Sequence, residues 1–150
     1  MSTAYRTKRK LIVDALVSKL KLINGRHPYK GNVFNNVSGT LKFLDEIEEY
    51  PKVCVVAGDE VREYQTAGFK WRFLTINIRA YVRNEDDAQE ELALLFEDIE
   101  KIIDENDALV YDTSIVPEGK TTSMTIDSLT TDEGVIAPLG IGEMIVTVRY

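Results

Sequence analysis

The clearest pattern in the chain runs from Trp71 to Ile103. The even positions from 72 to 82 read Arg72, Leu74, Ile76, Ile78, Ala80 and Val82, and the odd ones Phe73, Thr75, Asn77, Arg79 and Tyr81. That period of two predicts a strand with one apolar and one mixed face. Asn84 to Asp87 then offer capping side chains. After them Ala88, Leu92, Leu95, Phe96, Ile99, Ile102 and Ile103 recur at spacings of three and four, the apolar stripe of a helix. The two apolar faces predict a strand–helix unit at the heart of the core.

Elsewhere the pattern is shorter-ranged. Thr7 to Ile23 predicts a helix with Ile12, Val13, Leu16, Val17, Leu20 and Ile23 on one face, ended by Asn24-Gly25. Met1 to Thr7 is expected to be loose. His27 to Asn32 reads as a loop, Val33 to Val37 as a short strand, and Ser38 to Ile47 as a short helical turn closed at Tyr50-Pro51. Lys52 to Ala57 is a continuous run rich in β-branched residues, which predicts a central strand covered on both faces. Gly58-Asp59 is then expected to turn. Val61 to Tyr64 and Lys70 to Val82 read as a long hairpin with its tip at Gln65 to Gly68. Ala108 to Tyr111 predicts a short strand. The threonine-rich segment Thr113 to Gly142 contains one alternating stretch, Met124 to Leu129. From Thr130 to Gly142 it reads as a long excursion, and loops of that length are usually functional. Met144 to Tyr150 alternates again.

This order predicts one α+β domain over residues 1–150: a mostly antiparallel sheet with two main helices packed on one face. An extended hairpin and a loop arm within residues 113–142 are added to it, and both are suited to assembly contacts.

Charge sharpens the picture. The formal charge of −7 is unevenly placed. From Glu85 to Asp107 eleven acidic residues stand against Lys101 alone, a net −10, which leaves +3 for the rest of the chain. Such a segment repels phosphates, which argues against free nucleic-acid binding through that helix. No apolar run approaches the ~20 residues that cross a bilayer, so no membrane partner is expected. The start of the chain, basic through Arg6, Lys8, Arg9 and Lys10, is not patterned as a secretory signal. The single Cys54, set between valines, predicts a buried small apolar side chain and fits a reducing cytoplasm.

The chemistry of turnover is missing. His27 is the only histidine, and no cysteine pair or Gly-x-Ser-x-Gly motif accompanies it. Gly134, Gly140 and Gly142 do not follow a strand and open a helix, so they make no phosphate loop. Carboxylates such as Asp86 and Glu90 are ordinary helix-surface neighbours. No enzymatic activity, no cofactor and no metal site is expected. What remains is surface for partners. Phe69, Trp71 and Phe73 lie on the hairpin and its strand, and Arg79 lies on the same mixed face. Arg6 and Arg9 belong to the basic start, and Val135 and Ile136 to the loop arm. Aromatics and arginine are enriched at subunit interfaces.

Several of these features together resemble the tail terminator, or tail completion, proteins of long-tailed bacteriophages. They are an amphipathic first helix ending in Leu22-Ile23-Asn24-Gly25 before His27-Pro28-Tyr29, the strand Tyr50-Pro51-Lys52-Val53-Cys54-Val55 and then Gly58-Asp59-Glu60. A long strand from Phe73 to Val82 leads into Glu85-Asp86-Asp87-Ala88, and the chain closes on a strand ending at Tyr150. The resemblance implies helices against an antiparallel sheet, and a homo-oligomer, a hexameric ring, on the end of the tail tube. It implies contacts with the tail tube protein and with a head-completion protein, and phage DNA passing through the lumen without specific binding. It places the protein at the head-proximal end of the virion tail, after assembly in the host cytoplasm. The alternatives are another morphogenesis subunit, such as a head–tail connector or tube protein, and a small cytoplasmic enzyme or ligand-binding domain.

Overall fold

The computed structural model describes residues 6–150, so the expectation for the first residues falls largely outside it. Thr7 starts the first helix: its hydroxyl accepts the Lys10 amide at 3.2 Å, and α1 runs Lys8–Leu20. Ile12, Val13, Leu16, Leu20 and Ile23 are buried, as their spacing predicts, and Val17 is half-buried. The short strand expected at 33–37 shrinks to β1, Val37–Ser38. Phe34 and Asn35 take φ values of 50° and 61°, a left-handed turn that a strand does not tolerate. The helical turn is confined to Leu44–Glu46.

The remaining elements are β2 (Lys52–Tyr64), β3 (Lys70–Arg83), α2 (Ala88–Glu105), β4 (Val110–Asp112), β5 (Gly119–Lys120), β6 (Ser123–Thr131) and β7 (Leu139–Arg149). The main sheet has the order β1-β2-β3-β7-β6, antiparallel except for the β1–β2 pair. β4 and β5 form a separate two-stranded sheet. α1 packs over β1, β2 and β4, and α2 over β3, β7 and β6. The fold is α+β, and the strand–helix unit is its centre: Leu74, Ile76, Ile78, Ala80 and Val82 of β3 are buried in one cluster with the whole apolar stripe of α2.

Three expectations are corrected. β2 is not the central strand; β3 is, because β1 covers only Val53 and Cys54 on the far side of β2. Lys52 to Val55 are nevertheless buried. On the mixed face the segment after β1 closes over the start of the sheet, where the Tyr81 hydroxyl donates to the Lys42 carbonyl at 2.7 Å. The chain does not turn at Gly58-Asp59: pairing with β3 slips between Ala57 and Glu60, a bulge, and the strand continues to Tyr64. The excursion expected from Thr130 to Gly142 is shorter than its bounds, because both of its ends belong to strands. β6 pairs with β7 from Ser123↔Arg149 to Thr131↔Gly142, leaving 132–138 as the connection. Asp132 ties that connection down, accepting the amides of Ile136 at 3.3 Å and Ile141 at 3.0 Å and the side-chain amide of Gln89 at 2.9 Å.

Candidate assembly interface

At the end of the sheet where β7 finishes, the apolar face runs out into polar side chains. Leu74 pairs with Val148, and one step further the Tyr150 amide donates to the Arg72 carbonyl at 3.1 Å. The first turn of α1 reaches this end of the sheet. Tyr150 donates its hydroxyl to the Glu60 carboxylate, and Arg9 stands 3.4 Å from that carboxylate and Arg62 3.3 Å from it. The Glu60 side chain is only 7% exposed. Burial pushes its carboxyl up, but the hydroxyl of Tyr150 and the guanidinium groups of Arg62 and Arg9 outweigh burial and hold it below its ordinary range. Burial and Glu60 push the Tyr150 hydroxyl up in turn. The Arg72 guanidinium lies 5.7 Å from the Tyr150 ring centroid, and Tyr111 meets the same ring edge-on at 6.4 Å. Above this network Thr7, Lys8, Arg9, Arg72 and Tyr150 line a cleft of about 350 Å³. Arg72, Glu60 and Tyr150 were not among the expected interface residues. Their signal lay in register, since Arg72 and Tyr150 both continue the core-facing positions of their strands.

The eight expected residues fall in several places. Arg6 pairs with Asp14 at 3.0 Å on the surface of α1, and Arg9 joins Glu60. Phe69 sits just beyond the hairpin tip, 71% exposed. Trp71 is exposed on one side and stacked by the Arg149 guanidinium, 4.3 Å from its ring centroid. Phe73, opposite Val61, is half-buried. Arg79 faces Glu143 across the β3–β7 pair at 2.6 Å, on the mixed face of the sheet. Val135 is 83% exposed and Ile136 half-buried in the 132–138 connection, next to the start of β7 and so at the opposite end of the sheet from Phe69. The structure therefore brings together the basic start and the hairpin end, and separates both from the loop.

Two strand edges stay open. β1 pairs only with Val53 and Cys54, so among the described residues β2 beyond them has no strand on its outer side. β6 is the last strand on the other side. Among the described residues no group of histidine, cysteine, aspartate or glutamate is placed to hold a metal ion, and no helix is long and apolar enough to cross a membrane.

Two comparisons with known proteins agree on one family. Residues 6–150 match the family described as bacteriophage tail tube terminator protein. The chain is 39% identical over 150 residues to the tail tube terminator protein p142 of Escherichia phage T5, an alignment covering 95% of this chain and 92% of that one. It also superposes on a chain of the virion of a native gene transfer agent particle with a TM-score of 0.57, at 10% identity and over 92% of each chain, a likeness of fold.

Proposed function

The chain belongs to the bacteriophage tail tube terminator family, and we propose that its copies close into a ring, six-fold as the resemblance implies, that caps the finished tail tube. It is a structural protein of the phage tail. In our reading the ring halts addition of tube protein, offers its other face to a head-completion protein and lets the DNA pass without specific binding. Assembly takes place in the host cytoplasm. The work is done by fit, with no catalytic step.

The observation that carries this reading is the pair of open edges, β2 on one side of the sheet and β6 on the other. Unpaired edges are templates for strand addition. Two different edges on opposite sides favour a head-to-tail contact, and head-to-tail contacts with a closing rotation make rings. Phe69 and Val135 are exposed at opposite ends of the sheet, and in our reading they meet different neighbours along the tail axis.

Electron microscopy and native mass spectrometry of the protein, alone and mixed with tail tubes, test the reading. Rings of uniform mass that decorate tube ends are expected. A protein that stays monomeric and leaves tube ends bare overturns it, and long self-assembled tubes would identify a tube subunit instead.

A further inference from the structure

The charge of this chain is divided between its two sides. Arg6, Lys8, Arg9 and Lys10 cluster at the start of α1, and Arg62 and Arg72 lie on the hairpin beside them. α2 carries seven acidic residues and one lysine. Two of those carboxylates are paired with a lysine, Glu97 with Lys30 at 2.8 Å and Glu105 with Lys101 at 2.7 Å, and Asp98 is held by the amides of Lys30 and Gly31. Glu100 and Asp104, one helical turn apart, have no cation within 4.0 Å among the described residues. Like charges at that spacing repel each other, and a cation from outside relieves them. On the other side Lys8 forms no ion pair among the described residues, and Arg72 is held against a ring rather than a carboxylate.

We propose that the cleft lined by Thr7, Lys8, Arg9, Arg72 and Tyr150 receives Glu100 and Asp104 of a second copy of this chain. This rests on the ring reading, because donor and acceptor surfaces differ and each copy must use both. Two observations argue for this occupant. The first is charge complementarity, a basic cleft on one side and unrelieved carboxylates on the other. The second is topology. α1 lies on the β1–β2 side of the sheet and α2 reaches over the β6 side. The contact that brings two open edges of neighbouring copies together therefore also brings α2 of one copy toward α1 of the next.

The test is a charge swap read by native mass spectrometry and sedimentation at low and high salt. Lys8→Glu with Arg72→Glu makes the cleft acidic, and Glu100→Lys with Asp104→Lys makes the helix basic. Each double variant alone is expected to associate at least about tenfold more weakly than the parent. An equal mixture of the two restores association, since each then offers the other a matched pair, and so does the variant carrying all four changes. Association of the parent weakens as salt rises. If either double variant associates like the parent, or if neither mixing nor combining the changes restores what was lost, the proposal is overturned while the ring reading stands. A parent chain that never assembles, with or without tail tubes, overturns the ring reading itself.

Discussion

The Phe96 ring lies directly on the backbone of Gly142. A methyl group at 142 would overlap the ring at Cε2, stand 2.9 Å from Cζ and come within 3.3 Å of Leu92 Cδ2. α2 approaches β7 this closely because position 142 has no side chain. Phe96 is itself buried, in the same core as Leu92 and Leu95. Gly142→Ala is therefore expected to destabilise the fold by about 1–3 kcal/mol, the range for overpacking a core. Urea denaturation checks this, and an unchanged midpoint would mean the ring yields.

How much of this was legible beforehand depends on how local the pattern is. The stripe of α2 and the alternation of β3 are repeated many times within one stretch, so period alone identifies them. Gly58-Asp59 misled because glycine and aspartate mark turns and bulges equally, and only the partner strand decides between them. β6 was readable as a strand, but its pairing with β7 was not. Its outer face is polar and exposed, and the connection is closed by Asp132, whose amide partners are set by folding. At the candidate interface the positions of the basic cluster and of Phe69 beside the hairpin tip were legible. The meeting of Arg9, Glu60, Arg72 and Tyr150 was not, since it joins four separate stretches of chain.

Asp98 is a second case of hidden long-range structure. In sequence it is one acid among eleven, yet the residue is 2% exposed and its carboxylate accepts the amides of Lys30 at 2.9 Å and Gly31 at 2.6 Å. Those bonds fasten the loop after α1 to the middle of α2. Asp98→Ala should cost about 2–3 kcal/mol, since hydrogen bonds to a charged group contribute about 1.5–3 kcal/mol. Its neighbour Glu97 bonds to the Lys30 ammonium in a pair more than half exposed on both sides, so Glu97→Ala should cost no more than about 1 kcal/mol. Denaturation of the two variants side by side checks the contrast, and equal losses would refute the anchoring role of Asp98.

Acid should weaken the fold through two particular carboxyls. Burial alone would raise both, but Glu60 is held below 4.5 by Tyr150, Arg62 and Arg9. Asp132 is held below 3.8 by the amides of Ile141 and Ile136 and by Gln89. A carboxyl whose folded-state pKa is depressed contributes stability that is complete above its unfolded value. That contribution is lost as pH falls through the folded one. The melting temperature should therefore hold near neutrality and drop as pH falls below about 4.5. Glu60→Gln should lower the melting temperature near neutrality and flatten the drop, so that its curve meets that of the parent in acid. Parallel curves would show that Glu60 is not a source of the acid sensitivity.

The last expectation separates stability from assembly at the hairpin. Tyr64 and Phe69 flank the tip, both largely exposed, where β2 and β3 pair only with each other beyond the end of β7. Neither is part of the buried core, so replacing both by serine should change stability by no more than about 0.5 kcal/mol, as for surface sites in general. An apolar tip held out on a two-stranded ribbon nevertheless exposes area that a partner can cover. If the hairpin is an arm of the terminator ring, the Tyr64→Ser/Phe69→Ser variant should keep its melting temperature and lose decoration of tail-tube ends in electron micrographs. Wild-type decoration by a folded variant would assign the hairpin no part in that contact and leave the 132–138 connection, with Val135 exposed, as the surface to vary next.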